Sequence, residues 1–220
     1  MIGLQFFFLM FLLYFVIILG VSPLLYFLIA KRKHASVLKP ILPFISLAFI
    51  ASLYEFFGSL IFRWNVSNWF IIYAIVSFFC ILYFFLESLQ KQYSKLFLVF
   101  LVFFIILCFF LYLYFNIEDI LIITSYIDTF ITLFILFFTI IWFRKLILDA
   151  YIENLLQNST FYFISGFILY YCGTLFLFLL SNYIYKVDSN MFESYWVINI
   201  LLNLVLRTLL LVGLWKARTN

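Results

Sequence analysis

The sequence predicts an all-α polytopic membrane protein: one bundle of seven transmembrane helices over residues 1–220, N-terminus outside and C-terminus in the cytoplasm. Three observations predict it. The 220 residues are 69% hydrophobic and only 10% charged, with a mean hydropathy of +1.25, whereas soluble domains carry about 25% charged residues. Charge this scarce could not cover a globule in water, so lipid must solvate the apolar excess. Seven apolar runs, each long enough to cross ~30 Å of hydrocarbon as a helix, are separated by connections too short to form a separate domain. Lysine and arginine fall almost entirely on one of the two sides between which the runs alternate.

Taken in order, the runs are Leu4 to Ala30, Ile41 to Phe62, Trp69 to Leu89, Leu96 to Phe115, Ile120 to Phe143, Thr160 to Ile184 and Ser194 to Trp215. The first has no basic residue before it and Lys31, Arg32 and Lys33 directly after it, the pattern of a retained span with its N-terminus outside rather than a cleaved leader. Pro23 removes one backbone hydrogen bond late in that helix. The second and fifth runs each hold one acid, Glu55 and Asp128. In the sixth, Gly166, Tyr170 and Gly173 recur at helical spacing, a stripe that lets a neighbouring helix come close. The longest connection, Arg144 to Ser159, fits either an interfacial helix or an extension of helix five followed by a polar turn.

One side of the runs collects Lys31, Arg32, Lys33, Lys39, Lys91, Lys95, Arg144, Lys145, Lys216 and Arg218, the other only Arg63 and Lys186. Ten against two marks the first side as cytoplasmic, in a bacterial inner membrane. A net charge of +4 distributed this way reports orientation, and nucleic acid is not an expected partner. Trp64, Trp69, Trp142, Trp196 and Trp215 all fall near ends of the runs, where indole rings sit at the headgroup level.

The last run, YWVINILLNLVLRTLLLVGLW, is the most informative. Asn199, Asn203 and Arg207 recur every four residues and so share one helix face, which hydrocarbon would penalise. At 1.5 Å per residue, Glu55, Asp128, Asn199 and Asn203 lie ~8 to 14 Å below the outer end of their helices and Arg207 ~20 Å below. The five are the candidate ligand-binding residues. Arg207 is expected to pair with Asp128 or Glu55, which leaves one carboxyl to be neutral, to share a proton or to meet a cationic ligand. Ser52 and Ser59 flank Glu55, Ser125 and Thr132 flank Asp128, and Tyr73, Ser77 and Tyr170 complete the polar faces.

Several classes fall away. Every lysine lies at a helix end or in a connection, so no retinal Schiff base forms; HExxH, GxSxG and phosphate-binding glycine motifs are absent. The lone histidine, His34, and three unpaired cysteines offer no metal set, and no cofactor is expected. The chain resembles a group of small, uncharacterised bacterial seven-span membrane proteins through Tyr54-Glu55, Asn68-Trp69 with Tyr73, Ser165-Gly166 with Tyr170 and Gly173, and Asn199, Asn203 and Leu214-Trp215-Lys216. That resemblance implies the seven-span fold and no activity. The function expected from the polar layer is a membrane receptor or sensor component that reads a small ligand from the outer side and acts through a separate cytoplasmic signalling protein. The alternatives are a proton- or cation-coupled transporter or channel and a structural assembly role; an enzyme is the weakest expectation.

Overall fold

The computed structural model describes residues 2–29, 38–62, 64, 67–90, 92–115, 119–148, 155–187 and 189–219; these are helical nearly throughout and contain no strand. The helices are α1 (Ile2–Ile29), α2 (Leu42–Leu53), α3 (Ser67–Ser88), α4 (Ser94–Tyr114), α5 (Ile120–Leu148), α6 (Ser159–Val187) and α7 (Ser189–Thr219). A π-helical segment, Tyr54–Ile61, carries α2 onward, and a single 3-10 turn, Leu155–Gln157, precedes α6. Among the described residues, six helices are long and apolar enough to cross a membrane, and Leu42–Gly58 is a shorter apolar helix. This is a multi-pass membrane protein, with seven apolar helices among the described residues.

The helices outrun the apolar stretches that predict them. α5 continues to Leu148, past Phe143, and α7 starts at Ser189 rather than Ser194. The apolar run marks what lipid can cover, whereas backbone hydrogen bonding continues into the polar ends. The α5 extension accounts for the start of the Arg144 to Ser159 connection; its middle lies outside the described residues, as do Lys31, Arg32, Lys33, His34, Arg63 and Lys91. The remaining basic residues of the predicted cytoplasmic side share one end of the bundle, where Lys145 Nζ donates to Gln90 Oε1 at 3.2 Å and ties α5 to the turn after α3. Trp142 departs from the expected interfacial position: it is 5% exposed and belongs to the core, because α5 runs six residues beyond it.

α1 packs on α2 and α7, α7 on α6, α6 on α5, and α3 on α2 and α5, which closes a ring; α4 lies outside it against α3 and α5. Lipid tails are as apolar as leucine, so burial alone cannot drive this association, and close packing must. The chain meets that requirement with rings: Phe78 stacks on Phe104 at 3.8 Å, Phe97 on Phe138 at 4.0 Å, and Phe44 meets Phe167 edge-on at 4.8 Å. Phe97, Phe104 and Leu111, seven apart, are the buried stripe of the otherwise lipid-facing α4. On α6 the glycine stripe does face a neighbour, for a Cβ at Gly173 would sit 2.8 Å from Leu202 of α7.

Candidate functional site

The polar residues gather in the half of the bundle away from the basic end, and Arg207 organises one side of it. Its side chain is buried, at 3% exposure. Nη1 donates to the Val16 carbonyl of α1 at 2.6 Å and to Ser52 Oγ of α2 at 3.0 Å, while Nη2 lies 3.6 Å from Glu55 Oε2. One guanidinium thus joins three helices. Ser52 can accept because its own proton goes to the Ala48 carbonyl at 2.9 Å. The approach to α1 depends on Gly20, one turn beyond Val16: a Cβ there would strike Ser52 Oγ and Arg207 Nη1.

The α1 backbone near this contact accommodates a second departure. Pro23 has no N–H for the Leu19 carbonyl, and the Ser22 hydroxyl donates to that oxygen at 3.1 Å instead. α2 departs from α-helical geometry where Glu55 stands. Within the π segment the bonds reach five residues, as from Phe62 N to Phe57 O at 2.9 Å, and such segments are rare and frequent at functional sites. The Trp64 N–H satisfies the Gly58 carbonyl at 2.8 Å. Tyr54 stacks on Trp69 at 4.5 Å and fixes this part of α2 against α3.

Asp128 occupies the other side. Among the described residues its carboxylate makes no hydrogen bond or ion pair, although its main-chain carbonyl accepts from Thr132 Oγ1 at 2.7 Å. That hydroxyl also lies 3.3 Å from the Tyr171 carbonyl of α6, so one donor serves two helices. Tyr171 in turn donates to Ser77 Oγ of α3 at 3.2 Å, and Ser77 donates to the Ala74 carbonyl at 2.8 Å. Tyr73, one turn before Ser77 on α3, is half-buried, and Tyr170, on α6, is buried. The Tyr170 hydroxyl donates to Asn199 Oδ1 at 3.3 Å.

Of the five predicted residues, then, Glu55 and Arg207 meet directly, Asn199 accepts from Tyr170, and the Asp128 carboxylate has no hydrogen bond or ion pair among the described residues. Asn203 is half-buried and hydrogen-bonds to nothing among the described residues, so its place on the stripe does not bring it into the network. The Ser59 side chain lies outside the described residues. Gly20, the Val16 carbonyl and Tyr171 were not foreseen. A carbonyl has no signature in sequence; Gly20, however, is a lone glycine in an apolar span, where it weakens the helix unless something approaches it closely. No cluster of three or more His, Cys, Asp or Glu that could hold a metal occurs among the described residues. Compared with protein-family models, curated proteins and solved structures, the chain matches none.

Proposed function

We propose that the protein is an integral membrane receptor or sensor component that takes a small ligand into the polar layer from the outer side and acts on a cytoplasmic partner through its basic end. In this reading the N-terminus is outside, the C-terminus inside, and the membrane is a bacterial inner membrane. The observation that carries it is the Arg207 junction. Because one side chain holds α1, α2 and α7 together, a ligand that competes for Glu55 or Arg207 changes how those helices sit, and all three continue to the basic end. Ligand binding needs to favour one arrangement by only ~1–3 kcal/mol to be read there.

The test uses spin labels at Lys39→Cys and Lys216→Cys in a background with Cys80, Cys108 and Cys172 replaced by Ala. Solutes that raise the thermal midpoint of the purified protein are expected to change the label separation without crossing the bilayer of a proteoliposome. An unchanged separation with every stabilising solute refutes the receptor reading. A coupled carrier is the second reading, favoured by one observation, the Asp128 carboxyl at membrane depth with no partner among the described residues. It requires flux that Asp128→Asn abolishes.

A further inference from the structure

We infer that Trp196 is the outer lid of the polar layer: its indole closes the bundle above Asn199 and Tyr170, and it must move aside before a solute from the outer side reaches them. This rests on the reading above, that the layer is entered from the outer side, and names the part that controls entry. Six helices close the ring in the order α1, α2, α3, α5, α6, α7, so α3 stands opposite α7 and α2 opposite α6. A contact between opposite helices crosses the interior.

Aromatic crossings lie on both sides of the polar layer, and they differ. Towards the basic end, Phe167 of α6 meets Phe44 of α2 at 4.8 Å and Phe84 of α3 at 5.5 Å, and Phe163 meets Phe84 at 6.1 Å. None of these four rings is more than 2% exposed, so this floor is close-packed. Away from the basic end one indole makes the crossing. Trp196 of α7 meets Phe70 of α3 edge-on at 6.0 Å and Phe178 of α6 edge-on at 6.2 Å. Trp196 is only half-buried and Phe70 is 41% exposed, so parting them opens no packed core.

Helical spacing sets this roof over the polar groups. Asn199, one turn inward from Trp196, accepts from Tyr170 at 3.3 Å, and Tyr170 stands one turn outward from Phe167. That hydrogen bond therefore lies between roof and floor. The indole also packs against the small cluster of Leu12, Val16 and Ile200, and the Val16 carbonyl is the acceptor that holds Arg207 to α1. Swinging it out uncovers that cluster, which carries the event of entry to the three-helix junction. On the facing side Trp69, next to Phe70, is stacked on Tyr54 of α2 at 4.5 Å and anchors the start of α3. The indole is thus the moving part.

The experiment places one cysteine, Asn199→Cys, in the background with Cys80, Cys108 and Cys172 replaced by Ala. Its modification by the charged methanethiosulfonate reagent MTSET is followed by mass spectrometry on the purified full-length protein in micelles. Trp196→Ala and Phe70→Ala, which remove either half of the crossing, are each expected to accelerate the reaction roughly tenfold, and Phe70→Ala serves alone if Trp196→Ala does not fold. Trp196→Phe, which keeps a ring, is expected to stay within about threefold of the starting rate. Trp64→Ala removes an exposed indole whose ring contacts are Tyr54 and Phe62, and is expected to leave the rate unchanged. A rate that neither truncation raises, or that Trp64→Ala raises as much, overturns the lid and leaves outer entry to the spin-label test. Greater acceleration by Phe84→Ala, in the floor, than by either roof truncation puts the entrance at the basic end and overturns both.

Discussion

Glu55 and Asp128 invite comparison because the sequence makes them equivalents: single acids at similar depth, each on a helix with neighbouring hydroxyls. The fold treats them differently. α7 lies against α1, which lies against α2, so the Arg207 guanidinium reaches Glu55 and finds Ser52 and an α1 carbonyl on the way. Asp128 sits on α5, separated from α7 by α6, and makes no ion pair among the described residues. One acid is part of the structure's internal wiring, and the other is available. The difference comes from helix order around the ring, not from anything local to either residue.

The most disruptive way to break the comparison is at Gly20. A valine there places Cβ and its methyls where Ser52 Oγ and Arg207 Nη1 now lie, so the guanidinium must leave α1 and lose its acceptors. Stranding a charge among apolar helices costs several kcal/mol. We expect Gly20→Val to lose about 3 kcal/mol in reversible unfolding from mixed micelles, while a valine at a lipid-facing α1 position such as Leu25, 47% exposed, is nearly silent. Equal behaviour at the two positions would remove Arg207 from the organising role.

Glu55→Gln comes next. It keeps the shape and removes the charge, and we expect a loss of about 1 kcal/mol; the 3.6 Å separation and the 42% exposure of the Glu55 side chain keep the value below that of a fully buried pair. A double-mutant cycle sharpens this. Coupling between Glu55→Gln and Arg207→Met should be clearly different from zero, and coupling between Asp128→Asn and Arg207→Met close to it. The reverse result would mean that Arg207 has chosen the other acid.

How much of this could be read from sequence follows the same division. The apolar helices were legible because hydrocarbon acts on local composition, and a partner for Arg207 was legible because lipid excludes a lone charge. Which acid it takes was not, since that depends on which helices touch. Asn203 shows the limit of the four-residue stripe: sharing a face with Asn199 and Arg207 does not bring it a hydrogen bond among the described residues. Trp142 shows the limit of the apolar run as a ruler, because the helix continues past the run and moves the ring from the interface to the core. The π segment had no visible cause in sequence; it holds Glu55 next to Tyr54, whose ring stacks on Trp69.

For the other carboxyl the sign should reverse. Asp128→Asn removes no ion pair among the described residues and relieves the cost of holding a carboxyl in a low-dielectric interior. We expect thermal stability unchanged or higher, by up to about 1 kcal/mol, against the loss for Glu55→Gln. A residue kept at the expense of stability is what a binding group looks like. If Asp128→Asn destabilises as much as Glu55→Gln, the carboxylate is holding helices together and the contrast between the two acids collapses.

The smallest effect separates the scaffold from both acids. Tyr171 donates to Ser77 and so connects α6 to α3 beneath Asp128, in a pair whose members are both almost fully buried. Interhelical hydrogen bonds of this kind contribute about 0.6 kcal/mol on average, and Ser77 retains the Ala74 carbonyl as its own acceptor in any case. Tyr171→Phe should therefore cost only about 0.6 kcal/mol in reversible unfolding, since the ring is preserved and only its hydroxyl is lost. Tyr171→Leu removes the ring as well. A loss several times larger with leucine than with phenylalanine would identify the packing of the ring as the working part, whereas an equal loss with both would show that the hydrogen bond to Ser77 holds α6 on α3.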